Sequence, residues 1–145
     1  MSVGDLIPNY SFTVKLDLLS FGFKKVSNMT STIDIETIID GGNNDSPVIV
    51  RKPKKNPDML ILEKGLSSTM KDLEFGLLFK EGRKVDNISI DVKRDGKTVR
   101  MFSVSGGVIV GREFSPLDSL DGEVLLESLK IAHTGITEIP LPFGI

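Results

Sequence analysis

Three short stretches hold the residue types from which chemistry is built. Residues 94–99, RDGKTV, contain the Gly-Lys-Thr that closes a phosphate-binding P-loop. The glycine that should open such a loop falls at Asp91, within a strand-like pattern, so no run of backbone amides is placed to cradle a phosphate. Asp95-Gly96 between two alternating runs is instead a hairpin signal, because a type I′ turn needs positive φ at both central residues. Residues 106–111, GGVIVG, miss the G-x-G-x-x-G spacing and read as a turn entering a strand. His133 is the single histidine, so a histidine-rich metal site is impossible and a Ser-His-Asp arrangement would need this residue. No G-x-S-x-G elbow accompanies it. The carboxylates are scattered, leaving an acid–base pair or a carboxylate metal site without an anchor. The expectation is a protein with no catalytic residue, cofactor or metal.

The elements that would position any site are short. At 145 residues the chain is expected to be one domain, 1–145. Eighteen basic and 20 acidic residues leave a net charge of −2, which argues against sequence-independent binding to nucleic acid. Cysteine is absent, which removes disulfides and thiolate chemistry together. No apolar run is long enough to span a bilayer, and MSVGDLIPNY lacks the features of a signal peptide. Synthesis in the cytoplasm, with no stable membrane anchor, is the expectation. The sequons at Asn28, Asn44 and Asn87 are then coincidental.

Period-two alternation with β-branched and aromatic residues recurs through the chain, as in an antiparallel β domain. Phe12, Val14, Leu16 and Leu18 share one face of a first strand; FGFKKV continues it, and Ile33, Ile35 and Thr37 mark another. Residues 68–80 break the rhythm. Met70, Leu73 and Leu77 fall at helical spacing, with Ser67 or Ser68 as N-cap and Gly82 as the stop, predicting one helix. The run EVLLESLKIAHTGI fits either pattern, and its periodicity leans towards helix. The prolines of the tail, ITEIPLPFGI, leave at best an extended or edge segment.

One loop stands apart. Gly41, Gly42, Asn43 and Asn44 precede a basic stretch, Arg51, Lys52, Lys54 and Lys55, punctuated by Pro47, Pro53 and Pro57. Glycine supplies positive φ and asparagine tolerates it, so no ligand is needed to explain the bend. The prolines favour a protruding, partly rigid arm over about residues 41–57, whose charges would meet acidic groups on a partner.

In order and spacing these landmarks resemble the tail tube proteins of contractile phages, tailocins and extracellular contractile injection systems. NYSFTVKLD and FGFKKVSNM are similar to that family's opening, followed by IIDGGNN, VIVRKP and a strand closing in LEKG. Glu127, Leu129, Ala132, His133 and Gly135 fall on its C-terminal pattern. The helical segment lacks the tryptophan common in the family, and RKPKKNP lacks its usual Pro-Gly, as in a divergent branch.

The resemblance implies a mainly β fold, an antiparallel sandwich or barrel with one flanking helix, assembled as hexameric rings that stack into a hollow tube. It also implies that residues 125–133 form a strand. Its implied partners are further copies of itself, a sheath, baseplate and spike-hub proteins, and a terminator or cap. Tape measure, DNA or protein cargo would occupy the lumen of a virion tail or released particle. The arm, Gly41 to Asn44 with Arg51, Lys52, Lys54 and Lys55, is expected to make the inter-ring contact. A secreted ring of the type VI haemolysin-coregulated class, or a baseplate-proximal tube initiator, is the alternative role.

Overall fold

The computed structural model describes residues 6–39, 46–120 and 124–141. Strands β1 (Ser11–Leu16), β2 (Leu19–Phe21), β8 (Ile88–Arg94), β9 (Lys97–Ser105) and β12 (Gly135–Ile139) form one antiparallel sheet, in the order β12-β9-β8-β1-β2. Strands β3 (Lys25–Ser27), β6 (Asp58–Gly65), β7 (Lys84–Val85), β10 (Gly107–Phe114) and β11 (Leu126–His133) form the second, in the order β3-β6-β11-β10-β7. A separate two-stranded hairpin pairs β4 (Asp34–Ile38) with β5 (Val48–Lys52). The architecture is the expected mainly β sandwich with one flanking helix, α1 (Met70–Leu78).

Alternation fixes which side chains face inward. Val14 and Leu16 from β1, Ile88 and Ile90 from β8, Leu60 and Leu62 from β6, and Leu129 and Ile131 from β11 are buried together between the sheets. Asp95 and Gly96 both have positive φ, 52° and 78°, as the type I′ reading of the β8–β9 hairpin requires. Gly107 is hemmed in by side chains and backbone of both sheets. A Cβ there would lie 2.6 Å from Ile88 Cδ1 and 3.2 Å from the Val85 carbonyl oxygen, so the position admits no side chain without movement.

The structure corrects three readings of the chain. Residues 126–133 are a central strand, as the resemblance implies and against the helical lean of their periodicity, bonded to β6 and β10 on its two sides. The alternation was blurred because two of its inward positions, Glu127 and His133, are polar. Leu18 does not continue the face of β1. It sits in the tight turn after Asp17, which has positive φ, and is 94% exposed.

The helix is real, but it faces the other way. Thr69, rather than Ser67 or Ser68, caps it by accepting from the Asp72 amide at 3.3 Å, and it ends at Phe79, before Gly82. Phe75 and Phe79 pack inward against Phe21, with ring centroids 4.6 and 5.3 Å away. Met70, Leu73 and Leu77 are exposed. Phe75 and Phe79 join an aromatic cluster with Phe21 and Phe23 beneath the helix, a packing that the exposed stripe does not have, and that decides the orientation.

Candidate functional site

The expected arm, about residues 41–57, overlaps the β4–β5 hairpin. Among the described residues that hairpin pairs with no other strand, and its ladder runs from Asp34 opposite Lys52 to Ile38 opposite Val48. Cross-strand partners share a face. One face therefore carries Asp34, Glu36 and Ile38 with Lys52, Val50 and Val48, and the other Ile35 and Thr37 with Arg51 and Ile49. Both faces mix charged or polar residues with open apolar ones: Ile35, Ile38, Val48, Ile49 and Val50 are all exposed. An isolated two-stranded ribbon of this kind is at best marginal in water, so its faces are built to be covered.

The expected arm residues separate into three groups. Gly41, Gly42, Asn43 and Asn44 lie outside the described residues. Arg51 and Lys52 stand on opposite faces of the hairpin, Arg51 exposed and Lys52 half-buried. Lys54 turns back into its own subunit. Its Nζ lies 3.0 Å from Asp58 Oδ2 and donates to the Thr32 carbonyl oxygen at 2.8 Å. Asp58 in turn accepts from the Thr32 amide at 3.0 Å and from Thr32 Oγ1 at 2.8 Å. The Lys54 hydrogen bond, with the Thr32 bonds, lowers the Asp58 carboxyl to about 2 against some desolvation. The Lys55 amide donates to Asp34 Oδ2 at 2.8 Å. Together these bonds clasp the two ends of the hairpin at its root.

His133 lies behind that clasp, opposite Asp58 in the ladder. It is fully buried, and neither ring nitrogen has a hydrogen-bond partner among the described residues. Burial holds its pKa below the ordinary histidine value, against the pull of the Asp58 carboxylate. A neutral, enclosed ring that touches no serine hydroxyl offers no route to a nucleophile. Lys97 and Thr98 begin β9 beyond the Asp95-Gly96 turn, and Gly107 to Gly111 lie within β10, so neither glycine stretch meets a helix N-terminus. Among the described residues, no group of three or more metal-ligating side chains converges.

Sequence reasoning missed one cluster. Lys64 and Glu127 are cross-strand partners on β6 and β11, both buried, and their charged atoms lie 3.7 Å apart. Lys64 also pairs with Asp72 on α1, while Arg112 of β10 pairs with Glu127 and donates to the Gly76 carbonyl oxygen at 3.1 Å. Burial raises the Asp72 carboxyl, but the Lys64 ammonium and the Ser67 amide outweigh it and leave the carboxyl below its usual value. Two cations and two anions thus pin the helix to the sheet. The available signal was Lys64 at an inward position of an otherwise apolar alternation with Leu60 and Leu62.

Among the described residues, the sandwich thus carries a hairpin that pairs with no other strand and has open apolar side chains, and no cluster of metal-ligating groups. Residues 8–137 match the family model described as T4-like virus tail tube protein gp19, and the chain belongs to that family. No curated protein sequence matches. Among solved structures, the chain is similar to the tube-terminating cap of the anti-feeding prophage, with TM-score 0.78 and 17% identity over 97% of this chain and 95% of the other. It is also similar to a chain of the sheath–tube complex of the PVC extracellular contractile injection system, with TM-score 0.74 and 16% identity over 96% and 95%. The sheath/tube terminator of the same system matches at TM-score 0.74 and 17% identity over 96% and 100%. At these identities the likeness concerns the fold.

Proposed function

We propose that this chain is the repeating subunit of the inner tube of a contractile tail or injection particle. Hexameric rings of it would stack into a hollow conduit for DNA or protein cargo, with a sheath outside and baseplate and terminator proteins at the ends. The observation that supports this reading is the β4–β5 hairpin, with exposed apolar side chains on both faces and no other strand partner among the described residues, on a domain of the tail tube family. Ring closure would also remove the open edges of the two sheets by pairing them between neighbours. Negative-stain electron microscopy of the purified protein and of native particles tests the reading. Rings and tubes are the expected result. Persistent monomers under every assembly condition, with absence from particles, would overturn it. Its position along the particle separates a repeating subunit from a terminal ring. Deleting residues 45–55 is expected to leave a folded subunit that stacks poorly.

A further inference from the structure

His133 is a fully buried titratable group whose two ring nitrogens have no hydrogen-bond partner among the described residues. It is the cross-strand partner of Asp58, and such partners present their side chains on one face, with Cβ atoms about 5 Å apart. The ring therefore stands beside the carboxylate that anchors the root of the β4–β5 hairpin, which Lys54 and Thr32 already hold.

Few charges surround that ring. Asp58 on β6 favours its protonation, and Lys54, in the segment after β5, opposes it. At its level β10 brings Gly107 and Val108, both uncharged. The turn that follows, Thr134–Gly135, is bonded to Ser105 at the end of β9, and the Ile136 amide donates to Ser31 ahead of β4, so these elements add neutral groups alone. Burial disfavours the charged ring, and at neutral pH the set holds one anion and one cation, Asp58 and Lys54. A proton on His133 makes it two cations on one carboxylate. His133 is enclosed by β6 and β10 on the two sides of its strand, whereas Lys54 has a long stem and lies at the edge of the fold, so Lys54 is the one free to leave.

We infer that His133 is a proton-driven latch for the hairpin: its protonation in mild acid turns Asp58 towards the imidazolium, displaces Lys54 and frees the β5 end of the root. The bond from the Lys55 amide to Asp34 is then the remaining tie between the two ends. The latch works within one subunit, whatever that subunit assembles into.

Hydrogen–deuterium exchange of the full chain, read by mass spectrometry at about pH 7.5 and about pH 5.5 with labelling times scaled to the intrinsic rates, tests it. Peptides from β4 and β5 are expected to lose protection by about fivefold or more at the lower pH, while those from β8 and β9 keep theirs. His133→Phe, which takes up no proton, is expected to keep the hairpin protected at both pH values, and His133→Gln carries the same test should the larger ring fail to fold. Lys54→Met is expected to leave the hairpin poorly protected at both. Equal protection of the unaltered hairpin at the two pH values would overturn the latch, as would an acid loss that persists in the His133 variants. A loss shared equally by β8 and β9 would overturn it too, because that is unfolding of the whole domain.

Discussion

Two clusters of ionised side chains tie this subunit together, and they differ in what is left when one member goes. Under the helix, Lys64, Asp72, Glu127 and Arg112 form a closed set of two cations and two anions inside the fold, with Glu127 only 1% exposed. At the arm root, Lys54 and Asp58 form a single half-buried pair at the edge of the fold, supplemented by Thr32. Removing a member of the first set strands a charge in the interior, where water cannot replace the lost partner. Removing one from the second lets water in. The helix cluster therefore controls whether the domain folds, and the clasp controls how the arm is held.

Glu127→Ala should give the largest effect. It leaves Arg112 without its carboxylate and Lys64 with Asp72 alone, and a loss of about 3–5 kcal/mol is expected in urea unfolding. Gly107→Ala should cost less, about 1–3 kcal/mol, by forcing Ile88 and the β7 backbone apart. A loss equal to that of Glu127→Ala would show that packing, not charge, dominates.

Much of this contrast was out of sight in the sequence. Strand alternation, the Asp95-Gly96 hairpin and the existence of the helix were legible, because each depends on neighbours in the chain. The direction of the helix was not. It was settled by Phe21, distant in sequence, against Phe75 and Phe79. Glu127 and His133 hid β11 for a related reason: polar residues at inward positions break the pattern that reveals a strand, and only tertiary partners account for them. The basic arm residues read as equivalent in the chain, yet Lys54 lies within reach of Asp58 while Arg51 points outward.

The pH response at the arm root falls in two windows. His133 has a folded pKa below 6.5, so the unfolded chain takes up a proton first as pH falls, and stability is complete above 6.5 and declines below it. His133→Phe should flatten that decline in urea midpoints measured between about pH 7 and pH 5. Asp58 contributes in a lower window: its stabilisation is present above 3.8 and lost as pH falls towards about 2. A midpoint of the wild-type protein unchanged from pH 7 to 5 would remove His133 from this account.

The smallest effects on stability belong to the arm. Lys54→Met should leave the unfolding midpoint nearly unchanged while speeding trypsin cleavage after Arg51, as the root opens. Val48→Ser should change stability by no more than about 0.5 kcal/mol, yet shorten tubes seen in the microscope. Unaltered tube length would place the grip elsewhere on the hairpin.

The clasp also sets how a pull on the arm enters the subunit. Both strands leave the body at one end, so tension applied at the tip travels along two covalent backbones in parallel and does not peel the β4–β5 hydrogen bonds apart one by one. It arrives where Lys54, Asp58 and Thr32 join the two anchor points, and from there it passes into β6, a central strand bonded along its length to β11. On the proposed tube, a pull between rings would thus enter each subunit through β6 and spread along its ladder with β11.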